Sequence, residues 1–202
     1  MKWTSLNLWV PILLLLVSRN VTAQSPAQPI KAKQRQLSYE IQSDGSRVLK
    51  SEQEGVFYRT SSGAAIRTMG DRSTFMDAQG DMYEIDHNKK FARLVAHGSG
   101  TPLHEVFKNM SKDPPSNILY EAVNGLNCAV VPMYSGNKFE NPESSGKVYL
   151  YLPYGLEVKS ESTNPEDSLT IRELYDIEVA EPDPALVRIP EGYFIDNTLQ
   201  QR

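Results

Sequence analysis

The chain has 202 residues, of which 40% are hydrophobic and 23% charged, and its formal net charge at pH 7 is −4. This length is sufficient for one domain with a hydrophobic core. The basic residues are scattered, apart from a short group between Lys31 and Arg35. An acidic chain without a large basic patch is a poor partner for nucleic acid, so DNA or RNA binding is excluded as its main function.

The N-terminal segment has the three parts of an export signal. Lys2 provides a positive start, Leu6 to Val17 is almost wholly apolar, and Val21-Thr22-Ala23 offers small residues to a peptidase. We expect residues 1–23 to be removed, leaving a periplasmic or secreted protein. The alternative is a retained anchor, but a membrane span needs about 20 apolar residues and this run is shorter. The residue directly after Ala23 is not cysteine, so a lipid-anchored product is not expected.

Residues 24–35 are polar and contain two prolines, which predicts a flexible segment ahead of one domain at 36–196 and a tail at 197–202. The first half of that domain consists of short alternating or β-branched segments, each closed by turn residues such as Asp44-Gly45-Ser46. Strands are expected at 37–41, 47–51, 56–60, 64–69, 73–77, 81–86 and 91–96. Together they predict a meander of antiparallel strands.

In the second half, Leu103 to Met110 has apolar residues spaced at three and four, which predicts a helix. Strands are expected again at 118–122, 126–133, 147–152, 156–161 and 169–177, with a polar loop at 134–146. Prolines 182, 184 and 190 predict an extended, non-helical segment at 185–195 that is suited only to a sheet edge. The pattern predicts a mainly β protein of the α+β type, with a large curved antiparallel sheet and one or two short helices.

The sequence does not favour catalysis. His104-Glu105 begins like the zinc motif H-E-x-x-H, but Lys108 occupies the position of the second histidine. Glu84 and Asp86 share one face of a strand, which suits either paired carboxylates or an ordinary solvated surface. The single cysteine, Cys128, is expected to be a packed core thiol, the alternative being a reactive one. We therefore expect no enzyme activity, no cofactor and no metal.

Four stretches resemble secreted bacterial proteins of the lipoprotein-carrier-like, or LolA-like, half-barrel superfamily, and together they cover most of the predicted domain. The hairpins between Thr74 and Arg93 are the least specific of the four. The closing segment Pro182 to Tyr193 is the most specific, although Val187 stands where phenylalanine is usual. The remaining matches are Asn124-Gly125-Leu126-Asn127-Cys128 with a G-x-x-C strand, and Lys147 to Leu150 followed by Tyr154 to Lys159 with a paired hairpin.

The resemblance implies an unclosed barrel capped by one or two short helices, whose concave face holds acyl chains in the carrier members. An apolar ligand surface is accordingly predicted from Tyr39, Ile41, Phe57, Ile66, Phe75, Tyr83, Tyr149 and Tyr151. The alternative is that these side chains fill an ordinary closed core.

Three functions remain open from the sequence. The first is a non-catalytic periplasmic binding module for a lipid or acylated ligand, with a lipoprotein as one such ligand. The second is an envelope sensor or assembly protein that acts through contacts with a protein partner at the loop 134–146 or at a sheet edge. The third is a metal-dependent hydrolase, which the histidine spacing does not favour.

Overall fold

The computed structural model describes residues 26–98, 118–135, 143–164 and 168–199. The predicted signal at 1–23, the predicted helix at 103–110 and residues 136–142 of the predicted loop at 134–146 lie outside these residues. The loop prediction is wrong at its two ends, because residues 134–135 and 143–146 belong to strands. Within the described parts of the chain, no helix is long and apolar enough to cross a membrane.

The described residues form one sheet of twelve strands with two short 3₁₀ helices, Leu152–Tyr154 and Pro184–Leu186. Every neighbouring pair of strands is antiparallel except β12 and β6, which run parallel. The order across the sheet is β12-β6-β5-β4-β3-β2-β1-β11-β10-β9-β8-β7. The strands are β1 Ile30–Ile41, β2 Arg47–Arg59, β3 Ala65–Met69, β4 Arg72–Met76, β5 Met82–Asp86, β6 Phe91–Ala96, β7 Leu119–Val123, β8 Leu126–Ser135, β9 Glu143–Tyr151, β10 Leu156–Asn164, β11 Ser168–Glu178 and β12 Phe194–Asp196.

The predicted antiparallel meander is confirmed from β1 to β6. At the first turn the Asp44 carboxylate accepts a hydrogen bond from the Ser46 N–H at 2.9 Å, and Gly45 adopts a φ of 81°. Such a positive φ favours glycine, so the predicted turn forms where its residues require it. The strands predicted at 47–51 and 56–60 are one continuous strand, β2, because Gly55 between them does not adopt the positive φ of a turn.

The prediction of a flexible segment at 24–35 is wrong from residue 30 onward. Strand β1 begins at Ile30, and the side chains of Ile30, Ala32 and Gln34 are buried. These residues alternate with Lys31 and Lys33, which is the pattern of a strand with one buried face. The early start places β1 in the middle of the sheet, where it pairs with β2 and with β11.

The sheet curves strongly toward the face that carries Arg67. The Arg67 guanidinium on β3 donates to the Glu157 carboxylate on β10 at 3.2 Å, although three strands lie between them. In a flat sheet the two strands would be about 19 Å apart, at about 4.8 Å per strand. Arg59 on β2 likewise reaches the carbonyl oxygens of Tyr154 and Gly155 beside β10, at 2.6 and 2.8 Å. The Arg67 face is therefore concave.

Backbone features at β2 and β10 accompany this curvature. Gly55 lies on the concave face of β2, where a Cβ atom would come within 2.0 Å of the Thr68 carbonyl oxygen of β3. A side chain there would keep β2 and β3 from approaching so closely. The pairing of β9 with β10 shifts between Glu157 and Lys159, and bulges of this kind bend a strand and increase its twist. The two end strands of the sheet, β7 and β12, do not pair with each other, so the described barrel is unclosed as predicted.

The C-terminal segment differs in one detail from the extended, non-helical conformation predicted for 185–195. Residues Pro184–Leu186 form a single 3₁₀ turn, in which the Asp183 carboxylate accepts a hydrogen bond from the Ala185 N–H at 2.9 Å. A proline at the first position of a helical turn loses no hydrogen bond, which is why this turn tolerates Pro184. The following strand β12 lies at the edge of the sheet, as the prolines predict.

Candidate binding site on the concave face

The side chains of the concave face can be assigned from the strand register, because directly paired residues of antiparallel strands point to the same side. Across β1 to β6 they form three parallel rows, of which the first is apolar apart from Arg59 and the other two contain the remaining charged groups. The first row is Ile30, Arg59, Ala65, Met76 and Met82; the second is Ala32, Phe57, Arg67, Thr74, Glu84 and Arg93; the third is Gln34, Gly55, Met69, Arg72, Asp86 and Phe91.

Arg67 lies at the centre of this face. Its guanidinium stands 5.5 Å from the centre of the Phe57 ring and forms the 3.2 Å ion pair with Glu157. The Glu157 carboxylate also accepts a hydrogen bond from the Ser160 hydroxyl at 3.2 Å. An aromatic ring and a carboxylate together hold the orientation of the guanidinium group, whose charge is therefore fixed in place.

Arg172 on β11 approaches the same point from the other side of β1. It pairs across the sheet with Gln36, and its guanidinium donates to the Gln36 amide oxygen at 3.4 Å. No carboxylate of the described residues forms an ion pair with it. Burial lowers the pKa of Arg172, repulsion from Arg67 lowers it further, and Glu157 acts in the opposite direction. Arg172 thus carries a half-buried positive charge that the described carboxylates do not neutralise directly.

A cavity of about 110 Å³ lies between these arginines. Its lining residues combine three guanidinium groups with hydroxyl, amide and thioether groups and contain no carboxylate. They are Gln36, Arg67, Met69, Arg72, Ser73, Thr74 and Arg172. We call this space the arginine cavity.

A larger cavity of about 350 Å³ lies beside it and shares Arg72 as a wall. Its charges are paired with one another: Arg72 lies 3.1 Å from Asp86, and Arg93 lies 2.8 Å from Glu84. The predicted common face of Glu84 and Asp86 is therefore confirmed. The Lys89 N–H, bonded to the Asp86 carboxylate, and the nearby Arg72 and Lys89 charges lower the pKa of Asp86. A carboxylate whose pKa is lowered in this way is poorly suited to proton transfer at neutral pH.

Gln34 adds an unpaired polar atom to the concave face. Its side chain is fully buried, and its amide nitrogen donates to the Thr68 carbonyl oxygen at 3.4 Å. Its amide oxygen has no hydrogen-bond partner among the described residues. Leaving a buried acceptor unpaired costs about 1–3 kcal/mol.

The eight side chains predicted to form one apolar surface are divided between the two faces and the far end of β1. Phe57 and Tyr149 belong to one buried cluster, against which Tyr151 packs. Ile66 and Phe75 belong to a second cluster with Tyr83 against it, on the face opposite Arg67. Tyr39 and Ile41, at the end of β1, belong to none of the three described clusters. Their role in ligand binding stays a prediction.

The convex face of β3 to β6 is covered by the C-terminal segment. Val187 is buried among Ile66, Phe75, Ile85 and Ala92, and Ile189 and Tyr193 pack against the same cluster. His87 connects the two layers, since its ring nitrogens lie 2.7 Å from the Ser73 hydroxyl and 3.0 Å from the Tyr193 hydroxyl. This histidine therefore has a structural role in holding the segment down.

The remaining candidates for chemistry are also accounted for. His97 lies 3.4 Å from the Asp81 carboxylate at the protein surface, and His104 lies outside the described residues. In the described ranges no group of three or more potential ligands could hold a metal ion. Cys128 is fully buried, and burial raises the pKa of its thiol to about 11. The predicted core position of Cys128, on the same side of β8 as Val130, is confirmed.

Sequence reasoning missed the arginine cavity. In the sequence, Arg67 and Arg72 look like ordinary polar positions of alternating strands. Only the pairing of β1 with β11 brings Arg172 next to them. The alternation of Ile66 and Thr68 with Arg67 was a usable signal for the first of these. No local signal places residue 172 beside residue 36, which lies 136 positions earlier in the chain.

No protein-family model matches the chain, and no curated protein matches its sequence. Several solved structures are similar to it. An uncharacterised conserved protein from Thermus thermophilus has a TM-score of 0.49 and 7% identity, and the match covers 85% of this chain and 91% of that one. A LolA superfamily protein from Nitrosomonas europaea has a TM-score of 0.36 and 5% identity, covering 81% and 91%.

A third similar structure is that of MucB, with a TM-score of 0.38 and 13% identity. That match covers 86% of this chain and 62% of MucB. A LolA superfamily protein is thus among the structures similar to this chain. With identities this low and TM-scores below 0.5, no residue role or ligand is transferred from these proteins, and the site rests on its own geometry.

Proposed function

We propose that the protein is a non-catalytic binding module of an extracytoplasmic compartment that holds a lipid or acylated ligand on its concave face. The observation that carries this proposal is the arginine cavity on the concave face, beside which the partly buried side chains of Met69 and Met76 provide apolar contacts. An amphipathic ligand has the matching order of groups, with an apolar chain followed by a polar head. Ligand sites commonly combine mainly apolar walls with a few placed polar groups.

The apolar part of such a ligand has adaptable side chains to pack against. Met69 lines the arginine cavity, and Met76 is half-buried against the cluster that contains Phe57 and Ala65. Methionine is flexible and polarisable, so it adjusts to chains of irregular shape. The polar part would lie toward Arg67 and Arg172, whose positions are set by Phe57, Glu157 and Gln36.

The test uses protein purified from cells that express the full chain. A fluorescent fatty acid should bind saturably, and mass spectrometry should detect lipid extracted with the protein. Met76→Glu places a charge beside the proposed chain, outside the arginine cavity, and should weaken fatty acid binding about tenfold, an effect of about 1.4 kcal/mol. Val48→Glu is the matched control, because Val48 is 44% exposed near the turn between β1 and β2. No fatty acid uptake together with no extracted lipid would refute the proposal.

The proposed location has a separate readout. If the export signal is cleaved after Ala23, the protein recovered from the extracytoplasmic fraction should begin at Gln24. Its intact mass should then lack the contribution of residues 1–23. A protein retained in the cytoplasm with residues 1–23 intact would contradict this part of the proposal.

A protein-binding role is the second candidate, and the edge strand β7 favours it. Leu119 and Tyr120 are 69% and 46% exposed there, and an edge strand presents unpaired backbone groups that can add a strand from a partner. Leu119→Lys should abolish the crosslinking of a partner protein to this chain. Leu186→Lys, on the C-terminal segment, should preserve that crosslinking. An unchanged crosslinking profile in Leu119→Lys would dismiss this candidate.

A further inference from the structure

We infer that the arginine cavity is a binding site for an oxyanion, carboxylate or phosphate, carried by the ligand of the concave face. The inference deepens the proposed binding function, on which it rests, by naming the chemistry of the ligand's polar group. It follows from an imbalance of charge, from the arrangement of the guanidinium groups and from the size of the space between them.

The charge imbalance is local to this cavity. Arg67, Arg72 and Arg172 line it, and the described carboxylates pair with only two of them: Glu157 with Arg67 and Asp86 with Arg72. Arg172 donates to the neutral amide oxygen of Gln36 at 3.4 Å and forms no ion pair with a described carboxylate, although Glu157 attracts it from farther away. A partly desolvated guanidinium without a directly paired carboxylate is costly, and an anion that enters the cavity lowers that cost.

The groups are also suited to oxygen ligands. Guanidinium groups present parallel N–H donors that match the two oxygens of a carboxylate or phosphate, and such charge-assisted bonds are the stronger kind. Thr74 provides a further hydroxyl at the wall of the cavity. A volume of about 110 Å³ exceeds the roughly 30 Å³ share of one water in the liquid, which leaves room for a small oxyanion with its first atoms of attachment.

The Glu157 carboxylate is an example of an anion that is bound beside the arginine cavity. It crosses from β10 to Arg67 and accepts a second hydrogen bond from Ser160. The ligand oxyanion would bind on the Arg172 side of the cavity, next to this internal carboxylate and not in its place. Glu157 thus pairs with Arg67 without being a lining residue of the cavity, and the cavity itself has room for an oxyanion of the ligand.

The decisive variant is Gln36→Glu, which puts a carboxylate of nearly the same shape where the Gln36 amide now meets Arg172. The built-in carboxylate should neutralise Arg172, raise the melting temperature without ligand and remove the response to an added oxyanion. Arg172→Gln should also weaken oxyanion binding about tenfold or more, by loss of a charge-assisted pair. Arg47→Gln is the control, since it removes the same charge from an exposed position far along β2.

Two arms separate the sources of the oxyanion. In the first arm, inorganic phosphate is titrated at constant ionic strength, and binding is followed by calorimetry and by the rise in melting temperature. In the second arm, vesicles of phosphatidylglycerol and phosphatidylcholine are compared with vesicles of pure phosphatidylcholine. Oxyanion binding that is lost in Gln36→Glu and Arg172→Gln but kept in Arg47→Gln supports the site. If the protein binds the phosphatidylglycerol vesicles, the oxyanion belongs to a lipid head group. If it binds inorganic phosphate alone, the ligand is a free oxyanion.

The inference is overturned if, in both arms, Gln36→Glu and Arg172→Gln behave as the wild type does, or if Arg47→Gln loses as much binding as they do. It is also overturned if the wild type responds in neither arm. The outcome is distinguishable from that of the proposed function, because inorganic phosphate has no acyl chain. If Gln36→Glu binds the fatty acid as the wild type does and the wild type does not bind phosphate, the binding function is supported and the oxyanion site is refuted.

Discussion

The two faces of strands β3 to β6 are made by alternate residues of the same short segments, yet they differ in almost every property. The convex face carries Ile66, Phe75 and Ile85 and is covered by the C-terminal segment through Val187. On the concave face, Arg67, Thr74 and Glu84 occupy the intervening positions. The hairpins therefore obtain their stability from one face, which leaves the other free to be charged.

The same division explains why an aromatic-rich set of strands does not by itself identify a ligand surface. Phe75 and Tyr83 pack 6.1 Å apart beneath the C-terminal segment and stabilise the fold. The groups available for recognition are the polar ones that alternate with them. Substitutions that change one face at a time therefore separate the contributions of the two faces.

Ile85→Ala should have the largest effect on stability. Ile85 is 1% exposed in the convex cluster, and removing such a buried side chain typically costs about 2–5 kcal/mol. Thr74→Ala, on the exposed concave face one strand away, should change the free energy of unfolding by less than about 0.5 kcal/mol. Urea denaturation measures both. Equal losses would show that the two faces contribute alike.

Gly55→Ala should rank second, at about 1–3 kcal/mol. The added methyl group would meet the Thr68 carbonyl oxygen of the adjacent strand, so β2 and β3 would have to separate on the concave side. Ser51→Ala, exposed on the same strand, is the control and should be nearly neutral. Thermal unfolding of the pair would show the difference, and an unaffected Gly55→Ala would contradict the close approach of the two strands.

Alkaline pH should weaken the packed interior before it affects the concave face. Burial raises the pKa of the Cys128 thiol from 9.0 to about 11, so folding favours its protonated form. That contribution is fully present below the unfolded pKa and is lost as the pH rises from about 9 to about 11. Cys128→Ala should flatten this part of the stability curve. At pH 8 the native thiol should resist a disulfide reagent and react fully in urea, and rapid native reaction would oppose a buried thiol.

Glu157→Gln should affect stability less than Ile85→Ala or Gly55→Ala, by below about 1 kcal/mol, because partly exposed ion pairs contribute little. The same substitution should strengthen the binding of an oxyanion. Without the internal carboxylate, Arg67 and Arg172 attract an added phosphate more strongly, so the dissociation constant should fall. Calorimetry with inorganic phosphate measures this change, and weaker binding by Glu157→Gln would show that Glu157 supports the anion instead of competing with it.

Much of the fold could be predicted because its signals are local. Turn residues such as Asp44-Gly45-Ser46 and the alternation of Ile66 with Arg67 determine where strands end and which side faces the core. The start of β1 at Ile30 was missed because Pro29 and the polar residues around it suggested a flexible segment. The alternation of Ile30 and Ala32 with lysines was present, but its partner strand β11 is more than 130 residues away.

The candidate site was less predictable for the same physical reason. Whether Phe57 or Ile66 faces inward depends on the direction of sheet curvature, which the contact between Arg67 and Glu157 reveals and no single strand encodes. The arginine cavity needs β3, β1 and β11 together, and its unpaired charge is visible only when the neighbours of Arg172 are known.

The most direct test of the account is a titration with inorganic phosphate, followed through the Nε–Hε signals of the arginine side chains by NMR. The account predicts saturable shifts at Arg67, Arg72 and Arg172, with no comparable change at Arg188, which lies on the C-terminal segment of the convex side. Uniform small shifts at all arginines, or shifts confined to Arg188, would contradict the claim that the concave face is the binding surface.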